Sequence, residues 1–246
     1  MRGGKIEAEE EVVPSNTFRA WGLKKVAGSS PEVPEYIMKE LERQGAFHIG
    51  NEAERRLFLT FDCGYENGYT GRILDILKEK EVNATFFVTG HFLRENHDLI
   101  RRMVAEGHNV GNHTVNHVVM PKVSDDVNRR ELNDLRADFH AIVGEDVPMR
   151  YVRPPKGEYS EATLALSREE GYITVFWSSA YVDWEDDRKG DLEYAFNSIV
   201  NQFHNGSVIL LHNTSGNNAD VLADVIEKAR SENFEFGNLD EIAGNV

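Results

Sequence analysis

The stretch Leu57–Gly64 has the sequence LFLTFDCG, a short apolar run that leads directly into an aspartate, a cysteine and a glycine. The apolar part, Leu57–Phe61, predicts a strand. Outward from this stretch, short apolar runs alternate with amphipathic segments of helical period. This alternation predicts a parallel sheet covered by helices, and therefore an α/β fold.

The rest of the main domain continues this rhythm. The further predicted strands are Thr85–Val88, Asn109–Gly111, Tyr151–Arg153, Ile173–Trp177, Val208–Leu211 and Phe234–Phe236. The predicted helices are Gly71–Lys80, Asp98–Glu106, Ser124–Ile142, Ser160–Glu170, Leu192–Phe203 and Ala219–Ser231, with C-caps at Gly107, Gly144 and Gly171 and N-caps at Ser124 and Ser160. About seven such units can close as a barrel, and an open doubly wound sheet has the same linear pattern.

Residues 1–50 are more weakly patterned, with an acidic run at Glu7–Glu11 and one helical segment at Val33–Gln44. We expect them to form an N-terminal extension with a flexible beginning, packed on a main domain of residues 51–246. The first residues lack the apolar segment and cleavage site of a signal peptide. We therefore expect either a cytosolic protein or a chain from which an export signal has been removed.

The composition excludes several classes of function. The chain has 246 residues, with 27 Lys and Arg against 42 Asp and Glu, and a net charge of −15. This charge argues against binding nucleic acid or anionic lipid. The single cysteine, Cys63, excludes an internal disulfide and an all-cysteine zinc site. No apolar run approaches the roughly 20 residues of a membrane span, and no coiled-coil seam indicates a dimer, so we expect a monomer.

Polar residues of rare type follow the predicted strands. They are Asp62 and Cys63, then His113 and His117, then the segment Arg153–Gly157, then Asp183 and Trp184, and finally His212. The carboxyl ends of parallel strands share one face of an α/β fold, and that face carries the functional site. We therefore expect these residues to converge although they are far apart in the sequence.

The spacing of the two histidines is by itself a weak signal for a metal site, and each candidate residue also has a structural interpretation. On a helix, His113 and His117 would share one face and could bind one metal ion, or they are surface or capping residues. Asp62 is a metal ligand, a general base or a turn residue. Cys63 is a small buried residue or a thiolate ligand.

The other candidates are equally open on residue type alone. Arg153 forms a structural ion pair or orients a carboxylate. His212 is a core residue or a proton donor. The aromatic residues Trp177, Tyr159, Tyr181 and Trp184 belong to the core or stack on sugar rings.

Six segments resemble the polysaccharide deacetylase family, also known as carbohydrate esterase family 4 with its NodB homology domain. They are TFDCGYENGYT (60–70), ATFFVTGHF (84–92), EGHNVGNHTVNH (106–117), RPPKGEYS (153–160), FWSSAYVDW (176–184) and ILLHNTSGNNA (209–219). The first and last two point to the branch of delta-lactam-biosynthetic peptidoglycan de-N-acetylases. The resemblance covers nearly everything from Trp21 to Asp240.

The resemblance implies a distorted (β/α)7 barrel and a hydrolase of linear amide bonds in carbohydrate metabolism. This branch acts on N-acetylmuramic acid in peptide-free peptidoglycan strands at the cell envelope, and the product closes to the muramic δ-lactam of spore cortex. The expected cofactor is a divalent metal, with Zn²⁺ first and Co²⁺, Mn²⁺ or Mg²⁺ as alternatives.

Roles carry over residue by residue. Asp62 matches the general base, Arg153 the arginine that orients it, Lys156 the residue whose N–H lies at the oxyanion position, and His212 the general acid. His113 and His117 match the metal-binding histidines. The expected substrate contacts are Trp184, Leu210, Tyr159 and Asp183.

Two departures from the wider family bear on these roles. Cys63 replaces its metal-binding aspartate, which leaves Cys63, Asp62 or water as the third ligand. Ala180 replaces the aspartate that supports the acid, and Asp183 is the candidate substitute. A chitin or xylan deacetylase, a glycan-binding module on an inactive barrel and a cytosolic enzyme for a small metabolite remain as alternatives.

Overall fold

The computed structural model of the chain describes residues 13–26, 29–185 and 188–244. The expected flexible beginning falls on residues 1–12, which lie outside this range. The described strands are β1 (Arg19–Ala20), β2 (Lys24–Val26), β3 (Ser29–Glu32), β4 (Arg56–Cys63), β5 (Ala84–Val88), β6 (Asn109–Asn112), β7 (Tyr151–Val152), β8 (Glu158–Tyr159), β9 (Ile173–Thr174), β10 (Ser179–Ala180), β11 (Ser207–His212) and β12 (Glu235–Phe236).

The described helices cover the sheet, and none of them combines the length and the apolar character needed to cross a membrane. They are α1 (Glu35–Arg43), α2 (Thr70–Glu79), α3 (Gly90–Glu95), α4 (His97–Ala105), α5 (Asp125–Val143), α6 (Glu161–Glu169), α7 (Leu192–Val200), α8 (Gly216–Ser231) and α9 (Asp240–Ala243).

The main sheet is parallel and strongly curled. Its strand order is β10-β11-β4-β5-β6-β7-β9, and β12 pairs with the start of β4. One bent segment, residues 173–180, reaches both edges: Val175 N–H bonds to Val152 O of β7 at 2.9 Å, and Ser178 N–H bonds to Val208 O of β11 at 2.9 Å. The two edges are thus joined, and the parallel α/β prediction is confirmed in its barrel form. The bend also explains why the strand predicted over Ile173–Trp177 ends early.

Strand β4 shows how the alternation of side chains sorts residues between two layers. Leu57, Leu59, Phe61 and Cys63 pack in the large cluster between the sheet and the helices. Phe58 points to the other face, into the smaller cluster inside the barrel. Asp62 has the same parity as Phe58, so the strand presents this carboxylate to the barrel interior.

The N-terminal extension closes one side of the barrel. Strand β1 pairs antiparallel with β8, and Trp21 stacks on Phe176 with ring centroids 4.5 Å apart. The Trp21 indole N–H also donates to Trp177 O at 3.0 Å. This packing buries Tyr159 completely, so it contacts core residues rather than an open site.

Local signals for helix ends are confirmed where they rest on a physical requirement. The glycines predicted as C-caps have φ values of 82°, 99° and 81°, a region that favours glycine. Both predicted N-cap serines accept a hydrogen bond from the backbone N–H three residues on. The predictions missed the short elements β10, α3 and α9, which are too short for a periodic pattern.

Candidate active site

Four polar side chains meet at the carboxyl end of the main sheet. Asp62 lies at the end of β4, His113 follows β6, Arg153 follows β7 and His212 ends β11. The backbone register places Asp62 beside His212 on adjacent strands. The convergence expected from the parallel topology is therefore present.

Asp62 is held by a buried ion pair with Arg153. The Arg153 Nη1 donates to Asp62 Oδ1 at 2.8 Å, and both side chains are almost fully buried. Burial by itself would raise the pKa of Asp62, but the charge of Arg153 outweighs it, with help from His113 and His212, and holds that pKa below its ordinary value. Asp62 is therefore ionised at neutral pH, and its Oδ2 lies 3.6 Å from His113 Nε2.

Arg153 is fixed on three sides. Its Nε donates to Val175 O at 3.1 Å and its Nη2 to Phe176 O at 3.2 Å, while the guanidinium carbon lies 4.1 Å from the centre of the Phe87 ring. Burial lowers the pKa of Arg153 and Asp62 opposes that shift, but an arginine keeps its charge in a protein. The bent segment of the barrel thus supplies the carbonyls that lock the partner of Asp62.

His113 and His117 lie in the loop after β6, and the prediction that they share a helix face is wrong. Thr114 and His117 have positive φ values of 63° and 54°. The chain therefore turns sharply and brings the two imidazole centroids within 4.9 Å of each other. A tight loop, rather than helical period, produces the pairing that the H-x3-H spacing suggested.

Side chains outside the site hold this loop in place. Asn112 Oδ1 accepts from Thr114 N–H at 2.9 Å. Glu131 on α5 accepts from the Asn116 backbone N–H at 2.7 Å and from its side-chain amide at 2.6 Å. Glu131 is itself buried, so these bonds anchor the loop firmly to helix α5.

The histidines suit a metal ion in protonation state and orientation. His113 Nδ1 lies 2.8 Å from Arg153 O, so Nδ1 carries the proton and Nε2 presents a lone pair. Burial lowers the pKa of His113 and lowers that of His117 to about 4. Neutral imidazole is the form that binds metal ions.

The donor set is small. Across residues 13–26, 29–185 and 188–244, no group of three or more His, Cys, Asp or Glu side chains is arranged to hold a metal ion. The neutral imidazoles of His113 and His117 provide two donors for a divalent ion, whose remaining ligands would then come from outside this pair. Such a site is open to substrate.

Lys156 sits at the crest of a strained turn. It has φ 59° and ψ 8° between Pro155 and Gly157, a left-handed conformation that costs a residue with a side chain about 1–3 kcal/mol. A Cβ at Gly157 would come within 2.8 Å of Trp177 and 2.9 Å of Trp21, so close packing there requires glycine. The Lys156 side chain is exposed and its charge lowers the pKa of His117.

His212 is paired with Asp183. Its Nδ1 lies 2.7 Å from Asp183 Oδ1, and its backbone N–H donates to Asp183 Oδ2 at 2.7 Å. Burial opposes the charged imidazolium, but the hydrogen bond and charge of Asp183 outweigh it and raise the pKa of His212. The pair fixes the proton on Nδ1, and Nε2 is the atom left to exchange a proton with a substrate.

Trp184 and Leu210 connect this group to an open cleft. Trp184 is 59 % exposed, and its ring meets the His212 ring edge-on at 5.4 Å. Both residues line a cleft of about 890 Å³ between β10 and α7. Its other walls include Trp177, Tyr181 and Tyr194, so an aromatic groove leads away from His212.

Comparison with known proteins gives this arrangement a family. The sequence model described as "Polysaccharide deacetylase" matches residues 49–175. The chain is 38% identical over 243 residues to the peptidoglycan-N-acetylmuramic acid deacetylase PdaA of Bacillus subtilis, an alignment that covers 98% of this chain and 91% of PdaA. The chain belongs to the polysaccharide deacetylase family.

Solved structures agree with this assignment. The structure of Bacillus subtilis PdaA, a family 4 carbohydrate esterase, matches with a TM-score of 0.90 and 37% identity, covering 94% of this chain and 99% of that one. A family 4 carbohydrate esterase from Bacillus anthracis matches with a TM-score of 0.80 and 39% identity, over 96% and 100% of the two chains. The expected NodB-like (β/α)7 barrel is confirmed.

The first departure from the wider polysaccharide deacetylase family is Cys63, which lies outside the metal site. It lies on the helix-facing side of β4, fully buried in the large apolar cluster. Burial raises the pKa of its thiol well above the ordinary value, so it stays protonated. A thiol that points away from the histidines and keeps its proton does not fit the expected role of third ligand.

At the other departure, the structure places Asp183 where an acid is needed. The family aspartate expected at the position of Ala180 is absent, and Asp183 reaches His212 from three residues further along the chain. The Asp183 side chain is fully buried, so it contacts His212 rather than substrate. Tyr159 is also too deeply buried for the substrate contact that we expected.

The sequence predictions missed one residue of this deacetylase site. Asn218, in the first turn of α8, donates to Asp183 Oδ2 at 2.5 Å and to His212 O at 3.1 Å. The segment ILLHNTSGNNA contained it, but a buried asparagine in an amphipathic helix has no signal that separates it from its half-buried neighbour Asn217.

Proposed function

We propose that the chain hydrolyses the N-acetyl group of N-acetylmuramic acid in peptidoglycan strands from which the stem peptides have been removed. The freed amine then closes on the lactyl carboxyl to give muramic δ-lactam, and the enzyme works outside the cytoplasm at the cell envelope. The observation that carries the proposal is that two separate pairs, Asp62 with Arg153 and His212 with Asp183, surround the two neutral histidines. The similarity to PdaA supports the substrate.

Asp62 is the general base in this proposal. Its low pKa keeps it ionised, and Arg153 occupies Oδ1, so Oδ2 is the oxygen that takes a proton from the attacking water. The water oxygen adds to the acetamide carbonyl carbon and forms a tetrahedral oxyanion. A positioned base of this kind contributes roughly 10²–10⁴-fold to the rate.

His212 is the general acid. The raised pKa keeps a larger fraction of its imidazole protonated near neutral pH, and Nε2 donates that proton to the amide nitrogen as the C–N bond breaks. The products are acetate and the free amine of the sugar. Without this proton the leaving group would be an amide anion, so loss of His212 stops the reaction at the tetrahedral stage.

His113 and His117 would hold a divalent metal ion, with Zn²⁺ the first expectation. When bound, such an ion polarises the carbonyl group and stabilises the negative charge that develops on its oxygen. The Lys156 backbone N–H would donate to the same oxygen. An oxyanion donor of this type is worth roughly 10²–10³-fold in rate.

The charge of Lys156 supports muramic acid over glucosamine. Most basic side chains of this acidic protein pair with carboxylates, whereas no described carboxylate lies within ion-pair distance of the Lys156 ammonium. Muramic acid differs from glucosamine by a lactyl ether that carries a carboxylate. We propose that Lys156 pairs with that carboxylate while Trp184 stacks on the sugar and the neighbouring sugar occupies the aromatic cleft.

Acetate release tests the proposal directly. The substrates are peptide-free peptidoglycan strands, the same strands with their stem peptides, and chitin oligomers, each with added Zn²⁺ and with chelator. We expect metal-dependent release from the peptide-free strands alone. Lys156→Met should raise KM for these strands and change kcat little, because it removes the cation that pairs with the lactyl carboxylate and keeps the backbone N–H.

The alternatives give different results in the same assay. Equal release from chitin oligomers would identify a deacetylase of broader or different polysaccharide preference. Binding of strands without acetate release, by a protein that retains Zn²⁺, would identify a glycan-binding module on an inactive barrel.

A further inference from the structure

We infer that Asn218 is a positioning residue for the reaction, because its side-chain amide locks Asp183 and the end of β11 and thereby orients His212. The inference rests on the proposed function, in which His212 donates the proton to the leaving amine. The hydrogen bonds of Asn218 connect two of the segments that resemble the family, since Asp183 belongs to FWSSAYVDW while His212 and Asn218 belong to ILLHNTSGNNA.

The hydrogen bonds allow one orientation of the Asn218 amide. Asp183 Oδ2 and His212 O are both acceptors, and they lie 2.5 Å and 3.1 Å from Asn218 Nδ2. Nitrogen must therefore face them, and it donates both of its hydrogens. The remaining atom, Oδ1, accepts from the Tyr181 hydroxyl.

This network leaves little freedom to Asp183. Its Oδ1 accepts from His212 Nδ1, and its Oδ2 accepts from both the His212 backbone N–H and the Asn218 amide. Three donors hold a carboxylate whose side chain is fully buried. Without Asn218, Oδ2 keeps one donor and the His212 carbonyl keeps only the longer bond from the Ser215 N–H at 3.4 Å. Both the carboxylate and the strand end can then rotate away from the productive arrangement.

Three residue types of similar size or chemistry do not fill this position. A leucine has no donor, a glutamine is one methylene too long for a site that is 1 % exposed, and an aspartate would face Asp183 with a second negative charge. The adjacent Asn217 provides a matched control. Its amide bonds to the Arg188 carbonyl and the Gly190 N–H at 2.7 Å and 2.8 Å, and it makes no described bond to the His212 group.

The hydrogen-bond network of Asn218 also extends to the Tyr181 hydroxyl. The Tyr181 ring lines the aromatic cleft, and its hydroxyl fixes which way the Asn218 amide faces. Tyr181→Phe removes that hydroxyl and keeps the ring. We expect Tyr181→Phe to lower kcat in the same way as Asn218→Ala, but by a smaller factor.

The experiment compares the full-length zinc-loaded wild type with Asn218→Ala, Asn218→Asp, Tyr181→Phe and Asn217→Ala. Acetate release from peptide-free strands is measured across pH. We expect Asn218→Ala to lose roughly 10–100-fold in kcat, the range typical of residues that orient a functional group, with little change in KM. On the alkaline side of the pH profile, the activity of Asn218→Ala should begin to fall at a lower pH than that of the wild type. Asn218→Asp should lose more, and Asn217→Ala should match the wild type.

A second readout does not depend on activity. In the wild-type protein we expect a slowly exchanging, low-field proton resonance from His212 Nδ1–H, which should exchange faster in Asn218→Ala and Tyr181→Phe but not in Asn217→Ala. If Asn218→Ala does not fold, Tyr181→Phe carries the test. The inference would be overturned if the wild type is active and the Asn218 and Tyr181 variants keep both its kcat and its His212 proton resonance. The proposed function would then still stand. An inactive wild type with the expected resonances would overturn the proposed function instead.

Discussion

The site contains two buried carboxylates with opposite kinds of partner. Asp62 is paired with Arg153, a cation that keeps its proton at every accessible pH, and both are sealed inside the barrel. Asp183 is paired with His212, whose imidazole can gain and lose its proton and is 27 % exposed in its side chain. The first pair fixes a charge, whereas the second pair controls where a proton resides.

This difference separates the two chemical roles. A partner that cannot titrate lowers the pKa of Asp62 and keeps it a base. A carboxylate that stays buried raises the pKa of His212 and keeps it an acid. The neighbours thus move the pKa values of the two groups further apart, which is how one site supplies a base and an acid at the same pH.

The largest effect is expected at the fixed pair. Asp62→Asn should reduce kcat by roughly 10²–10⁴-fold, because the base is gone. It should also lower the free energy of unfolding by about 3–5 kcal/mol, because Arg153 remains buried without an ionic partner. His212→Ala should show a comparable loss of activity with a smaller loss of stability. Acetate release and urea unfolding measure the two effects, and equal destabilisation by both variants would contradict the comparison.

At the titrating pair, Asp183→Asn should change the pH profile more than the maximum rate. Asp183 raises the pKa of His212, and activity requires the protonated imidazole, so the alkaline decline of kcat/KM should move to lower pH. The loss is expected to be small at pH 6 and larger at pH 8. A profile that only falls in height, without moving, would mean that Asp183 does not govern the protonation of His212.

The same pair should contribute stability with the matching sign. The folded pKa of His212 is raised, so its contribution is fully present below the ordinary histidine value of about 6.5 and is lost as the pH rises through the raised value. The difference in unfolding free energy between wild type and Asp183→Asn should therefore shrink with rising pH.

The sequence predicted more of the fixed pair than of the titrating one. Asp62 and Arg153 stand at the ends of predicted strands, and parallel topology alone brings them to one face. The distance between Asp183 and His212 depends on how the chain leaves β10, a strand too short to predict. The loop of His113 and His117 illustrates a second limit, because their pairing was expected but its cause, two left-handed residues, is set by contacts with Asn112 and Glu131.

A further prediction moves the carboxylate that supports His212 back to the position that the wider family uses. In the Asp183→Asn background, Ala180→Asp should restore part of the lost activity at pH 8, because residue 180 lies on β10, the strand beside β11. Ala180→Asp in the wild-type background should give no gain. The measurement is the ratio of kcat/KM at pH 8 and pH 6 in the four variants. An unchanged ratio in the double variant would mean that the two positions are not interchangeable.

The smallest expected effect is the rise in melting temperature on zinc binding, and it tests whether the two pairs are independent. A chelator should readily remove an ion held by two histidines and abolish activity. Adding the ion back should restore activity. Zn²⁺ at 100 times its dissociation constant stabilises the folded state by about 2.7 kcal/mol, so it should raise the melting temperature of the wild type and of Asp183→Asn equally. His117→Ala should lose this increase, since His117 is one of the two expected donors and lies outside the apolar core clusters. If Asp183→Asn also lost the zinc response, the titrating pair would be coupled to the metal site, and the division of the active site into a fixed half and a titrating half would fail.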